Sequence, residues 1–178
     1  MTLDCMIDDK QLSLSVNSTK PLLQILIEDV DNHTLNSSCH GKGCGNCVVL
    51  VNDHAALACL LPAFRLKGAT ITTFDSFKDT TNFQDIEQAY RMTGNRPCPD
   101  CFESKTLLIE SILRELTAKR SGRVHSSPDE VAEAQKRQDK LVLKELSLNT
   151  CQCMDTGELL QIVEMALANR KRRTDAVR

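Results

Sequence analysis

The chain has 178 residues, a net charge of −2 and 41% hydrophobic residues, a size that fits one domain or two small ones. This balance indicates neither nucleic acid nor a membrane as a partner, and no segment approaches the roughly 20 apolar residues of a spanning helix. The acidic first ten residues lack the pattern of an export signal. We therefore expect a cytoplasmic location, although a partner subunit could carry an export signal for a whole complex.

The first 76 residues predict a small mixed sheet crossed by one helix, the β-grasp plan. Alternating and β-branched segments predict strands at 3–7, 11–16, 48–51, 56–61 and 69–74. Polar turns are predicted at Asp8-Asp9 and at Asn52-Asp53. Thr19 is predicted to cap the helix, with Pro21 in its first turn.

Beyond residue 80, apolar residues recur at helical spacing. Four helices are predicted, around Ile86–Met92, along the Leu107–Leu116 stripe, from a start at 126–130, and from Glu158 to about Ala168. Residues 170–173 are predicted to be a frayed, solvated basic end, with docking on an acidic partner as the alternative. The predicted fold class is α+β, with a β-grasp plant-type ferredoxin domain at 1–76 and an all-α four-helix bundle at 77–178.

Eight of the nine cysteines form two sets of four. The first set comprises Cys39, Cys44, Cys47 and Cys59. Its spacing of four residues, then two, then a distant fourth is that of a plant-type ferredoxin, and four thiolates are what a [2Fe–2S] cluster requires. Gly41, Gly43 and Gly45 lie between the three close cysteines. They allow the tight loop, with its backbone N–H groups aimed at sulfur, that such a cluster needs.

The second set is less specific. It comprises Cys98, Cys101, Cys151 and Cys153. A CxxC pair and a CxC pair separated by a long helical segment predict either a second [2Fe–2S] cluster or a structural zinc site. The ninth cysteine, Cys5, falls in a predicted strand and is expected to be a buried apolar residue.

Other kinds of active site find no support in the sequence. The four histidines are scattered, and neither a phosphate-binding loop nor a dinucleotide fingerprint is present. We therefore expect no substrate, flavin or nucleotide site on this chain.

The order of these motifs resembles the small iron–sulfur subunit of the molybdenum hydroxylases, the xanthine dehydrogenase and aldehyde oxidoreductase family. The resemblance rests on CHGKGCGNC, ACLLPAF, ATITTF, the CPDC pair and NTCQC. It implies two [2Fe–2S] clusters, with the second set receiving electrons first and the first set passing them toward a flavin. It also implies a large partner subunit that binds molybdopterin and a medium subunit that binds FAD.

Several positions depart from the family pattern, including Pro99-Asp100 within the CPDC pair and Phe102-Glu103-Ser104 after it. Pro97 replaces the glutamine that usually contacts the pterin, and the resemblance also implies a pterin contact at Cys98. Asp100 lies inside the CPDC pair, and Gln152 replaces an arginine, so this electrostatic balance predicts a lower reduction potential. Two alternatives stay open: an iron–sulfur subunit of a dehydrogenase without molybdenum, and a ferredoxin domain joined to a zinc-stabilised interaction module.

Overall fold

A mixed sheet followed by helices makes up the fold, as the sequence predicts. The computed structural model describes residues 1–32, 35, 43–120, 139–140 and 142–176. The strands are β1 Thr2–Ile7, β2 Lys10–Ser15, β3 Val48–Val51, β4 His54–Leu57 and β5 Thr70–Thr72. They form one five-stranded sheet in the order β2-β1-β5-β3-β4. The β1–β5 pair is parallel and the others are antiparallel.

Two hairpin turns lie where the sequence predicts them. Asp8 and Asp9 have φ angles of 49° and 64°, and Asn52 and Asp53 have φ angles of 49° and 70°. Positive φ at both central residues defines the type I′ turn, whose twist matches that of the flanking strands. Aspartate and asparagine tolerate this conformation better than most residues, which explains why the local sequence is informative here.

The helix that crosses the sheet lies where the apolar residues between Leu22 and Val30 predict it. It begins as α1, Leu22–Gln24, and continues as a π-helical turn at Ile25–Asp29. The prediction that Thr19 caps it is wrong. Pro21 occupies the cap position without a side-chain hydrogen bond, and the Thr19 hydroxyl donates instead to Asn17 Oδ1.

The remaining helices are α2 Phe74–Phe77, α3 Thr81–Thr93, α4 Phe102–Arg120 and α5 Thr156–Ala176, with a helical segment at 142–146. Met92 lies within α3, as the sequence predicts, and its side chain is 50% exposed. The helix start predicted at 126–130 lies outside the described residues. The four-helix bundle and the division at residue 76 therefore stay predictions. Within the described ranges, no helix has both the length and the apolar character that crossing a membrane requires.

Strand β3 links two hydrophobic clusters. Val49 belongs to the cluster that contains α1 and the apolar residues of β1, whereas Val48 and Leu50 belong to the cluster formed by α3, α4 and α5. This alternation follows from the two-residue period of a strand. The helices therefore cover the face of the sheet opposite α1, and the Ala55 N–H donates to Ser111 Oγ of α4 across this contact.

Helix α4 is the central helix of the described fold. Ten consecutive residues, 104–113, are buried, so the helix is enclosed on all sides rather than along the single stripe that the sequence predicts. Its buried polar side chains consequently need partners inside the protein. Thr106, for example, exchanges a hydrogen bond of 2.9 Å with the hydroxyl of Tyr90.

The basic C-terminal residues are not a frayed end, which corrects the prediction from sequence. Helix α5 continues to Ala176, and the Arg170 guanidinium lies 2.5 Å from Glu110 and 3.4 Å from Asp85. Arg173 also pairs with Asp85, at 2.8 Å. Two buried carboxylates on α3 and α4 thus bind the last turns of α5.

Candidate metal centres

The structure brings the four cysteines of the second set together. Their Sγ atoms all lie within 4.8 Å of one another. The Cys98–Cys101, Cys98–Cys151 and Cys101–Cys153 sulfur separations are 3.4, 3.7 and 3.3 Å. None of the four is in a disulfide. Four converging thiols are a soft donor set, which suits zinc or iron–sulfur chemistry.

Two loops position these thiols. Cys98 and Cys101 form a turn that leads into α4, in which the Cys101 N–H donates to the Cys98 carbonyl oxygen at 3.1 Å. Cys151 and Cys153 lie in the loop before α5, and the Cys98 N–H approaches Cys153 Sγ at 3.4 Å. Cys101 is fully buried while Cys153 is exposed. The site therefore has one side within the protein and one side at the surface.

The pKa values of the thiols in the second set differ. Hydrogen bonding from Cys101 lowers the pKa of Cys98 to about 7, because those bonds stabilise its thiolate. Burial raises the pKa of the Cys101 thiol, because the thiolate is poorly solvated there. A metal must consequently displace protons to bind all four sulfurs.

Asn149 joins the second set to the loop of the first. Its side-chain NH₂ donates to the Gly45 carbonyl oxygen at 3.1 Å, to Asn46 Oδ1 at 2.8 Å and to Ser104 Oγ at 2.8 Å. Its Oδ1 accepts from the Cys151 N–H at 3.0 Å. The residue is only 6% exposed. One buried amide thus fixes the relative position of two loops that carry predicted ligands.

Part of the first set is described. Cys44, Cys47 and Cys59 lie in the segment before β3 and in the 3₁₀ turn Ala58–Leu60 after β4. The Ala58 N–H donates to the Cys47 carbonyl oxygen at 2.9 Å, which holds the start of the hairpin beside its end. Cys39 and Gly41 lie outside the described residues.

Gly43 and Gly45 both have positive φ angles, of 66° and 77°. The second glycine also lies against the segment that leads to Cys151. A Cβ added at Gly45 would overlap the Leu148 carbonyl oxygen and lie 2.5 Å from Asn149 Cα. The described glycines thus have the conformation expected of a tight loop, and Gly45 additionally permits contact between the two loops.

The positions that depart from the family pattern differ in exposure. Pro97 is buried, whereas Asp100 and Gln152 are exposed. Solvent weakens the effect of an exposed charge, so Asp100 acts on the thiols less than its place in the sequence indicates. Cys5 is 3% exposed in β1, which confirms that it is a buried residue.

Three residues at the site are not predicted from the sequence: Lys105, Asn149 and Thr150. Lys105 is buried and its ammonium donates to the Cys151 carbonyl oxygen at 2.9 Å. The N–H and hydroxyl of Thr150 both approach the Cys44 carbonyl oxygen, at 3.2 Å. A lysine four residues after a predicted ligand, just before the predicted Leu107–Leu116 stripe, was the available signal for Lys105. Nothing local distinguishes the other two.

The sulfur–sulfur distances of the second set bear on whether a zinc ion or a [2Fe–2S] cluster would fit the site. Thiolates about 2.3 Å from one tetrahedral ion are separated by about 3.8 Å, close to the three sulfur–sulfur separations of 3.3–3.7 Å in the structure. Two irons and two sulfides require more room between the cysteine pairs. The donor set therefore fits either group chemically, and the sulfurs must spread apart to take the larger one.

The fold and the thiol site define a mixed-sheet and helical protein with a cysteine-lined candidate metal site. No family model matches the chain. It is 25% identical over 96% of its length to a nicotinate dehydrogenase subunit from Pseudomonas putida, and covers 98% of that protein. It is 26% identical over 93% of its length to the aldehyde oxidoreductase iron–sulfur-binding subunit PaoA of Escherichia coli, and covers 71% of it.

Solved structures agree on the fold. Quinoline 2-oxidoreductase from Pseudomonas putida 86 matches with a TM-score of 0.66 at 20% identity, over 96% of both chains. The aldehyde oxidoreductase from Desulfovibrio desulfuricans matches with a TM-score of 0.68 at 20% identity, over 96% of this chain and 17% of that longer one. The resemblance to the small iron–sulfur subunits of the molybdenum hydroxylases is thereby confirmed, and the chain is similar to subunits of oxidoreductase complexes.

Proposed function

We propose that the chain is the electron-transfer subunit of a molybdenum hydroxylase and binds two [2Fe–2S] clusters. Cys98, Cys101, Cys151 and Cys153 would hold one cluster, and Cys39, Cys44, Cys47 and Cys59 the other. When bound, such clusters accept and release single electrons without forming or breaking bonds. The chain itself would supply the thiolates, the protein matrix between the two sites and the surfaces that meet the partner subunits.

The hydrogen bond between Thr150 and Cys44 is the main observation that supports electron transfer between the two proposed sites. Thr150 precedes Cys151, and its N–H donates to the Cys44 carbonyl oxygen at 3.2 Å. A proposed ligand of one site is therefore joined to a proposed ligand of the other by one residue and one hydrogen bond. Asn149 fixes this contact from the side through Gly45 and Cys151.

The proposed direction of transfer follows the family resemblance. Electrons would enter at the second set from a molybdopterin centre on a large subunit. They would leave from the first set toward an FAD-binding subunit or another acceptor. Cys98 is the proposed neighbour of the pterin, since Pro97 has no side-chain hydrogen bond to offer. Substrate oxidation would occur on the partner, and the cytoplasm is the proposed compartment.

The compact spacing of the second set favours one other candidate. If that site holds zinc, residues 77–178 would be a zinc-stabilised interaction module attached to a single-cluster ferredoxin domain at 1–76. The sulfur separations of 3.3–3.7 Å support this alternative. Similarity along the chain to proteins named as iron–sulfur subunits supports the two-cluster proposal instead.

Metal content separates the two candidates. We would measure iron, zinc and acid-labile sulfide per chain on anaerobically purified protein, and record EPR spectra after dithionite reduction. Two clusters predict about four irons, about four sulfides and two distinct signals. About two irons with one zinc would overturn the relay and support the interaction module.

Single cysteine variants assign the signals. Cys101→Ala should remove one EPR signal and about half of the iron, and Cys47→Ala should remove the other. Cys5→Ala is the matched control, because Cys5 is a buried cysteine in β1 outside both sets. Loss of both signals in each ligand variant, with the control intact, would contradict two separable sites.

A further inference from the structure

Lys105 is a buried cation in the first turn of α4, beside the second set of thiols. The residue is 3% exposed. Its ammonium donates to the Cys151 carbonyl oxygen at 2.9 Å, and its backbone N–H donates to the Cys101 carbonyl oxygen at 2.9 Å. The lysine therefore contacts both loops that carry the thiols.

No carboxylate among the described residues pairs with this ammonium. Burying a charge is costly unless an opposite charge compensates for it. Arg170 is also buried, and it has two carboxylates as partners. The contrast indicates that the counter-charge of Lys105 is something other than an acidic side chain.

Both loops that Lys105 contacts carry thiols of the second set, which can supply a negative charge. Metal binding converts Cys98, Cys101, Cys151 and Cys153 to thiolates. Four thiolates exceed the charge of one zinc ion, or the net charge of two irons together with their two sulfides, which leaves the site negative. We propose that Lys105 neutralises part of this negative charge, and thereby stabilises the metal-loaded site and raises its reduction potential. The effect on the reduction potential rests on the proposed function.

The direction in which Lys105 shifts the reduction potential follows from charge alone. Reduction adds one electron and one negative charge to the site, with no bond formed or broken. A fixed cation nearby stabilises the reduced state more than the oxidised state. Lys105 is buried whereas Asp100 is exposed, so solvent screens the lysine less. The lysine thus opposes the lower potential that Asp100 and Gln152 predict from sequence.

The test compares charge with hydrogen bonding at position 105. Lys105→Gln removes the charge but keeps a donor for the Cys151 carbonyl, Lys105→Met removes both, and Lys105→Arg keeps the charge. Lys67→Met is the control, because Lys67 is an exposed lysine that precedes β5. Each chain is first analysed for iron, zinc and sulfide. The potential of the second site is then measured by EPR-monitored redox titration.

We expect Lys105→Gln and Lys105→Met to lower the ratio of reduced to oxidised site at least tenfold at a given potential. A tenfold change corresponds to 59 mV for one electron. Lys105→Arg and Lys67→Met should stay near the parent chain. Full iron content with an unchanged potential in Lys105→Gln would overturn the role of the lysine and leave the proposed function intact.

A measurement of zinc affinity tests the proposal when the second site does not contain iron. If the second site of the parent chain contains zinc and no iron, the proposed function fails, whereas the neutralisation of charge is still tested by zinc affinity. Apo protein with Gln or Met at position 105 should then bind zinc at least tenfold more weakly than apo protein with Lys or Arg. The same measurement serves if a neutral variant does not retain iron. Equal zinc affinities would overturn the proposal.

Discussion

Replacing Gly45 by alanine should disrupt the contact between the two cysteine loops. The residue has a φ angle of 77°, and an added Cβ would overlap the Leu148 carbonyl oxygen and lie 2.5 Å from Asn149 Cα. Left-handed conformation costs a non-glycine residue roughly 1–2 kcal/mol. Forcing extra volume into a packed contact costs roughly 1–3 kcal/mol more. The obstructing atoms are backbone, so a change of side-chain rotamer cannot relieve the overlap.

Gly43→Ala provides a matched control in the same loop. Gly43 has a φ angle of 66°, but nothing among the described residues lies within 4 Å of the position that a Cβ would occupy there. Only the conformational cost of roughly 1–2 kcal/mol should apply to this variant. The difference between the two variants therefore isolates the contact with Leu148 and Asn149.

Two measurements together check this expectation. Thermal unfolding of the metal-loaded chain should show a lower Tm for Gly45→Ala than for Gly43→Ala, at roughly 2–4 °C per kcal/mol for a chain of this size. Hydrogen exchange followed by mass spectrometry should show faster exchange of the Thr150 amide only in Gly45→Ala, because that amide donates to Cys44. Equal Tm values and equal exchange in both variants would refute the argued contact.

Two further predictions concern the ion pair between Arg170 and Glu110 and the thiols of the second set. Arg170→Met should lower the free energy of unfolding by roughly 1.5–3 kcal/mol, because it removes one of the two arginines that pair with the fully buried Glu110, while Arg114 remains 2.6 Å from it. Exposed Lys171→Ala is the control, and equal Tm values for the two variants would contradict the role of the pair. The zinc affinity of the apo protein should rise with pH by at least tenfold per unit below about pH 7. Zinc binding displaces the Cys98 proton, whose pKa is about 7, and the Cys101 proton, whose pKa is raised by burial. A zinc affinity that does not change with pH in a competition titration would contradict this prediction.

Features that depend on neighbouring residues were predictable from sequence. The turns at Asp8-Asp9 and Asn52-Asp53 follow from residues that tolerate positive φ. The strands follow from alternation, and the helices from apolar recurrence. The predicted strand at 56–61 is wrong beyond Leu57, where a 3₁₀ turn follows, and α5 continues to Ala176 rather than ending near Ala168. Likewise, the spacing of cysteines in CPDC and NTCQC placed four thiols in two short loops, which is why they could be recognised as one set.

Features that depend on distant partners required the tertiary structure. Asn149 and Gly45 are 104 residues apart, and no local pattern indicates that one donates to the other. The Arg170 side chain looks like part of a solvated tail until its pairing with Glu110, 60 residues away, is seen. Both belong to the surroundings of α4, whose burial on all sides is decided by what packs on it rather than by its own sequence.

The cysteine spacing by itself thus predicted two thiol-lined metal sites, because ligands within one short loop are necessarily close in space, and the structure brings the thiols of the second set together. Only the folded chain determined how the loops meet and which charges lie beside them. Lys105 shows the difference: in sequence it is one lysine on a helix, and in the structure it is a buried cation 2.9 Å from the Cys151 carbonyl oxygen. Burial, which sequence does not specify for a single lysine, is what gives that charge its influence on the site.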